Sequence, residues 1–323
     1  MHRKLTLVLT VLALCAGLFA QPASEAVTSD ATPVRVAALK GPTAMGLVQL
    51  MDESGAGTVD GNDYSFSIVA SPTEMTPMIV RGEVDIAALP ANLASVLYNN
   101  TDGGVQVLAV NTLGVLYIVQ HGDDVSSVQD LAGKTIYASG KGSTPEYALS
   151  YILEEAGLAD SVTVEWKSEH AECVAAIVND SDAVALLPQP FVTTAMMQDP
   201  SIRVALDLND AWAEVSPDSA LITGVIVART AFVEANGEAV DSFLTQYKES
   251  TDYANSDVAG AAALVGKYDI VPEAVALKAL PECNIVCITG DEMEADLSSY
   301  LTVLYEANPA SVGGALPAED FYY

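Results

Sequence analysis

The chain has 323 residues, half of them apolar, and carries 43 acidic residues against 13 basic ones for a formal charge of −30. That length supports two ordinary domains with real cores. So acidic a surface repels nucleic acid and anionic lipid and argues against both as partners, but a small ligand meets only local groups.

The first 20 residues, MHRKLTLVLTVLALCAGLFA, pass from a basic end through an apolar run to small residues, the pattern of an export signal. The run is short for a membrane anchor, and no later stretch reaches the roughly 18 unbroken apolar residues of a spanning helix. Two endings are open. Cys15, after Leu12-Ala13-Leu14, is similar to a bacterial lipoprotein box with a lipidated cysteine, although Leu14 stands where such boxes use Gly, Ala or Ser. Cleavage after Ala20 or Ala26 would instead free a soluble protein. Residues 21–32, QPASEAVTSDAT, read as a polar, disordered tether in either case.

Val34–Leu39 is a first strand, Lys40-Gly41-Pro42-Thr43 a turn, and Ala44–Met51 begins a helix. Tyr64–Ala70 alternates as a strand should, and Ser71-Pro72-Thr73-Glu74 opens a helix that runs to Gly82. Val84–Leu89 is a short apolar strand; Pro90-Ala91-Asn92 turns into a helix ending at Asn99-Asn100, and Val105–Asn111 and Val115–Gln120 are further strands. Strands alternating with helices of about ten residues predict a doubly wound sheet with parallel neighbours, whose ligands bind beyond the carboxyl ends of the strands.

Leu131–Leu158, LAGKTIYASGKGSTPEYALSYILEEAGL, is a strand, a glycine-rich turn and a helix. Gly140, Gly142, Ser143 and Thr144 lead into Pro145-Glu146, a helix start in which a hydroxyl caps, proline fits the first turn and glutamate suits the positive end. Such a start presents free backbone N–H groups. It reads either as an ordinary capped unit or as a polar binding site. The spacing is not that of a P-loop, so no ATP site is implied.

Val162–Trp166 is the next strand, followed by a helix around Ala171–Val178 and the strand Ala183–Leu187. The turn Pro188-Gln189-Pro190-Phe191 mirrors Leu89-Pro90, as if the same architecture were built twice. Ile202–Leu206 is a short strand before a loop, Asn209–Pro217, and Ile222–Val227 is strongly β-branched. From Thr230 the chain is mainly helical, interrupted by CNIVCITG and closed by a helix over Gly290–Asn308; these late helices are expected on the first domain.

Cys173, Cys283 and Cys287 are odd in number and imply no complete disulfide framework. In an extended CNIVCI the Cα atoms of Cys283 and Cys287 would lie about 13 Å apart, too far to bridge. All three read as small buried apolar residues. His121 and His170 are too few for a histidine-based zinc site and lie outside the loops at the strand ends.

The segments KGPTAMGL, Ser71-Pro72-Thr73-Glu74, GEVDIAALP, LAGKTIYASGKGSTPEYAL and LLPQPF together resemble the periplasmic-binding-protein type II fold. Within it they are similar to the nitrate, sulfonate and thiamine-precursor binding branch of ABC importers, over nearly all of residues 33–323. The resemblance implies an α/β protein of two lobes, each a doubly wound sheet flanked by helices, joined by two crossing strands near Asn111–Gly114 and Thr223–Gly224. Lobe one is then 33–112 with 224–323, and lobe two 113–223. It implies ligand loops at Gly41, Pro42, Thr43, Ala44, Ser71, Pro90, Ala91, Asn92, Asn111, Thr112, Gly142, Ser143, Thr144 and Gln189. Lys40 and Lys141 are the only cations there, and Tyr117 and Phe191 the nearest aromatics.

The function implied is an exported, extracytoplasmic solute-binding subunit of an ABC importer. It takes a small polar or anionic nutrient between its lobes and hands it to a membrane permease and its ATPase. No cofactor, metal or turnover is expected; the protein would be a monomer, touching the membrane only through a lipid at Cys15. A ligand-binding sensory domain would use the same cleft. A biosynthetic enzyme on this fold is opposed by the export signal and by the lack of a Ser-His-Asp or paired-carboxylate arrangement.

Overall fold

The structure, a computed structural model, describes residues 31–323. The expected export signal, Cys15 and most of the tether fall outside the described residues. The tether's last position does not: Thr32 already belongs to a strand, its amide bonded to Gly61 O at 2.8 Å.

Among the described residues, eleven strands form two sheets. The first contains β1 (Thr32–Leu39), β2 (Asn62–Val69), β3 (Ile86–Pro90), β4 (Val105–Leu113), β10 (Ile222–Arg229) and β11 (Ile285–Ile288), in the order β11-β4-β10-β3-β1-β2. The second contains β5 (Leu116–His121), β6 (Thr135–Ser139), β7 (Thr163–Lys167), β8 (Val184–Pro188) and β9 (Ile202–Asp207), in the order β7-β6-β8-β5-β9. The central strands β3 (IAALP) and β8 (VALLP) are buried at every position, which is why they read as unbroken apolar runs rather than alternating ones.

Both sheets are mixed rather than parallel throughout. β1 pairs with β2 and β3, and β6 with β7 and β8, in parallel, as the βαβ pattern demands. β10 runs antiparallel to β3 and β4, and β5 antiparallel to β8 and β9. These two strands are the ones that enter a sheet just after the chain has crossed from the other, so they arrive from the opposite direction.

One crossing turns at Gly114. A Cβ there would fall 1.4 Å from Asn209 Oδ1, and the Gly114 carbonyl accepts from Asn209 Nδ2 at 3.0 Å and Asn284 Nδ2 at 2.6 Å. Only glycine admits that approach.

The late helices Gly237–Ser256, Val258–Lys267 and Glu273–Ala279 bury Phe243, Tyr247, Val265 and Ala276 against β1, β3 and β4 of the first sheet. Gly290–Ala307 departs from the expectation. It packs on β4 and also reaches the second lobe, where Tyr300 meets Trp212 with ring centroids 5.4 Å apart. Trp212 belongs to the helix Leu208–Val215, where Asn209–Pro217 was expected to be a loop. The polar, turn-prone residues hid an amphipathic pattern: Asp207 accepts from the Asn209 amide at 2.8 Å, and Leu208, Ala211 and Trp212 are buried along one face.

CNIVCI is extended only from Ile285. Cys283 ends a 3₁₀ turn, and Asn284 takes a left-handed conformation at φ 44°. Cys173, Cys283 and Cys287 are free thiols. The aspartate of GEVDIAALP is a fold element: Asp85, 4% exposed, holds Arg35 at 2.6 Å and Arg229 at 2.7 Å, tying β1, β3 and β10 together. Burial alone would raise its pKa, but the hydrogen bonds from Arg35 and Arg229 outweigh it, and the net shift is downward.

Candidate ligand cleft

Loops from both sheets line a cleft of about 430 Å³. From the first sheet come Leu39, Lys40, Pro42 and Thr43 after β1, Ala70–Thr73 after β2, Pro90 after β3, and Thr223 on β10. The second supplies Leu116 and Pro188, Ser139–Lys141 and Ser143–Pro145 after β6, and Lys167–His170 after β7. These are the carboxyl ends of the parallel strands, where strand-to-helix turns gather.

The expected site residues divide. Pro42, Thr43, Ser71, Pro90, Ser143 and Thr144 line the cleft. The others build its floor or flanks. Asn92 is buried and donates to Ser311 O at 2.9 Å, with Gly142 O and Thr144 Oγ1 each 3.4 Å away. Asn111 donates to Thr43 O at 3.2 Å, and Thr112 Oγ1 donates to Asn111 Oδ1 at 3.0 Å. Gln189 Oε1 accepts from the Thr193 hydroxyl at 2.9 Å. Gly41, at φ 137°, sets the turn before Pro42, and Ala44 and Ala91 are fully buried.

The helix starts are not capped as expected. Ser143 Oγ donates to Gly140 O at 2.6 Å, closing the glycine turn on itself, and Ser71 Oγ pairs with Thr73 Oγ1 at 2.9 Å. Thr43 Oγ1 donates back to Leu39 O at 3.0 Å. The helix expected from Ala44 is a four-residue turn, Pro42–Met45, followed after Gly46-Leu47 by Val48–Ser54. Gly46 lies 3.0 Å, measured from an added Cβ, from both Ile285 and Tyr247, so the break lets the segment tuck under β11.

Reading the sequence missed the wall after β7. Lys167, Ser168, Glu169 and His170 face the cleft at the start of the helix His170–Asn179. The signal was present: a strand, TVEWK, followed by a serine and a helix, the same pattern as at Ser71 and Ser143. His170 Nδ1 lies 2.5 Å from Ser139 Oγ, and its ring packs on Phe191 at 4.9 Å. Burial lowers its pKa to about 4, so the imidazole is neutral at pH 7. His121 lies away from the cleft, between Ser201 and the Ile177 carbonyl. Tyr117 and Phe191 belong to the apolar core of the second lobe.

Electrostatically the cleft runs against the rest of the chain. Lys40, Lys141 and Lys167 line it, opposed by Glu169. Lys40 is 3.9 Å from Asp269 and Lys167 3.3 Å from Glu165, both partly exposed pairs that are weak in water. The starts of the helices Pro72–Val80, Thr144–Glu155 and His170–Asn179 also reach the cleft. Each keeps its own first-turn glutamate, Glu74, Glu146 or Glu172, on the amide of Ala70, Gly142 or Ser168, so their partial positive charge is met in part within the protein. Between these groups lie Leu39, Leu116, Pro42, Pro72, Pro90 and Pro188, so most of the wall is apolar.

The solved structure of an ABC transporter protein from Parabacteroides distasonis superposes with a TM-score of 0.76 at 21% identity, over 90% of this chain and 99% of the other. The periplasmic aliphatic sulphonate binding protein SsuA from Escherichia coli gives 0.70 at 18%, over 90% and 92%. The periplasmic nitrate-binding protein NrtA from Synechocystis PCC 6803 gives 0.65 at 13%, over 88% and 84%. At these identities the likeness is one of fold, the two-lobed type II periplasmic-binding-protein architecture. No curated protein sequence matches the chain. Residues 49–267 match the family described as "ABC transporter, phosphonate, periplasmic substrate-binding protein", and the chain belongs to that family of extracytoplasmic substrate-binding components of ABC transporters.

Proposed function

We propose that the protein captures a small organic oxyanion, one with an acidic head and an apolar group, and delivers it to an ABC permease driven by an ATPase. The observation that carries this is the convergence of Lys40, Lys141 and Lys167 on one cleft in a chain of net charge −30. An overall negative surface gives no general attraction for anions, so local cations among apolar walls argue for a built anion site. A cleft of about 430 Å³ is large for a bare inorganic oxyanion and suits an added alkyl or aryl group. The sulphonate and nitrate bound by the structural neighbours are oxyanions as well.

On this reading residues 33–112 with 224–323 and residues 113–223 are the two closing lobes. Pro42, Thr43, Ser71, Pro90, Ser143 and Thr144 touch the ligand, while Asn92, Asn111, Thr112 and Gln189 hold those loops in place. Lys141, Lys167 and His170 join the contact set. Binding proceeds without turnover and as a monomer. Export through residues 1–20, with either lipidation of Cys15 or release after Ala20 or Ala26, places the chain beside its permease.

A thermal-shift screen of residues 27–323 tests the ligand class with ethanesulfonate, butanesulfonate, ethylphosphonate, nitrate, bicarbonate and thiamine. A ligand at about 100 times its Kd stabilises the folded state by roughly 2.7 kcal/mol. The expected result is stabilisation by the alkyl oxyanions, weaker stabilisation by nitrate and bicarbonate, and none by cationic thiamine. Stabilisation by thiamine alone would overturn the reading.

A further inference from the structure

Buried polar atoms in native proteins are almost always hydrogen-bonded, so each exception calls for an explanation. Among the described residues, three buried side-chain oxygens or nitrogens lack a partner: Gln49 Oε1, Tyr300 OH and Thr223 Oγ1. Of these residues only Thr223 lines the cleft.

Its position on the chain is also unusual. Along the antiparallel pair β10 and β4, Ile222 faces Leu113 and Gly224 faces Thr112, so Thr223 is the extra residue of a β-bulge. The next step is irregular in the other sense: Gly224 faces Thr112 but Val225 faces Val110, which leaves Asn111 extra on β4. Bulges beside functional sites re-aim a side chain that a regular ladder would fix elsewhere. The two bulges sit where the strands pass between the sheets. Gly224 is required there, because a Cβ would meet Asn111 Oδ1 at 2.5 Å and Thr43 Cγ2 at 2.7 Å.

The two re-aimed side chains have different fates. Asn111 is satisfied inside the protein by Thr43 O and the Thr112 hydroxyl. Thr223 finds nothing. A hydroxyl sealed from water without a partner costs the fold free energy. A valine of the same shape would avoid that cost.

We propose that Thr223 is the ligand contact supplied by the crossing strand itself: its hydroxyl donates a hydrogen bond to an oxygen of the bound organic oxyanion. The assignment rests on the cleft being the anion site. That contact calls for a turn about χ1 to a staggered rotamer that presents the hydroxyl to the cleft, a change that needs no movement of the backbone. Occupancy is thereby linked to the strand that crosses between the sheets, and the Thr223 hydroxyl gains a partner on binding.

The test compares wild type, Thr223→Val and Thr223→Ser by titration calorimetry with ethanesulfonate and ethylphosphonate, and by melting temperature without ligand. Thr223→Val is expected to melt at or above wild type when empty, yet to bind about 10- to 100-fold more weakly, the range for a lost hydrogen bond to a charged group. Thr223→Ser, which keeps the hydroxyl, is expected to bind close to wild type. Equal binding by wild type and Thr223→Val, or a clear loss of unliganded stability in Thr223→Val, overturns the assignment and leaves the anion site standing. Failure of wild type itself to bind either probe overturns the anion site, and the assignment with it.

Discussion

The two glycine-and-hydroxyl turns on opposite walls of the cleft look alike in sequence and are built differently. After β1, Lys40-Gly41-Pro42-Thr43 opens a helix of only four residues, and Thr43 turns its hydroxyl back onto Leu39 O. After β6, Gly140–Thr144 opens a helix of 12 residues, Thr144–Glu155, and Ser143 closes the glycine turn on Gly140 O. Four residues align too few peptide dipoles to matter, whereas 12 align enough for a partial charge at the amino end, part of which Glu146 meets through the Gly142 amide. The turn after β1 therefore offers mainly shape, with Pro42 and Leu39, and its single cation, Lys40, is shared with Asp269 at 3.9 Å. The second offers charge: a helix start, Lys141, and beside it Lys167 and the start of the His170–Asn179 helix.

The walls also differ in how they are supported. Behind the first, Asp85 ties three strands through Arg35 and Arg229. Asp85→Ala leaves Arg229 beside an apolar core without its anion, and a loss of about 3–5 kcal/mol of stability is expected from urea unfolding. A loss below about 1 kcal/mol would show that the first wall does not depend on this cluster. Because the Asp85 pKa is lowered in the folded state, its contribution is complete above the ordinary value of 3.8 and fades as pH falls below it through the folded value.

The charge asymmetry is tested next. Lys141→Met and Lys167→Met should each weaken binding of an alkyl oxyanion roughly threefold to tenfold, more at low ionic strength than at high. A matching loss in Lys40→Met would place the cations symmetrically and remove the contrast between the walls. The hydroxyl turns give a smaller effect. Thr43→Val and Ser143→Ala each remove one turn-closing hydrogen bond and should each cost about 1 kcal/mol of stability. The contrast predicts that Ser143→Ala weakens anion binding more than Thr43→Val does, since it loosens the turn that aims the longer helix.

His170 gives the finest distinction. With its folded pKa lowered to about 4, the unfolded chain takes up a proton between pH 6.5 and 4 that the folded chain refuses. Stability is therefore complete above pH 6.5 and declines as pH falls toward 4. His170→Asn should flatten that part of a melting-temperature profile, which lies above the range where Asp85 acts. An unchanged slope would mean that the imidazole is already protonated in the fold.

Much of this was legible in the residues. β3 and β8 announce themselves because a strand covered on both faces must be apolar at each position, and Pro90 and Pro188 follow at the same place in each. The helix Leu208–Val215 was hidden because Asn209 and Asp210 favour turns locally, and only the burial of Trp212 against Tyr300 tips the balance. Asn92 and Gln189 entered the ligand loops through the family resemblance, and the fold adds that their amides bond to Ser311 O, 219 residues away, and to Thr193. The wall from Lys167 to His170 went unread, although its strand-serine-helix pattern repeats that of the other walls.

By itself the sequence determined what depends on neighbours along the chain: the alternation of strand and helix, the glycine turns, the double use of one lobe plan and, through its motifs, the family. Tertiary structure decided what depends on residues far apart. It set which polar groups are satisfied within the protein and which, like the Thr223 hydroxyl, are not, because hydrogen bonds such as Asn111 to Thr43 O join separate elements. It also gathered Lys40, Lys141 and Lys167, distant in sequence and outnumbered by acids, into one cleft, and it re-aimed Thr223 through a bulge. Charge and pairing act through space, and only the folded chain fixes those distances.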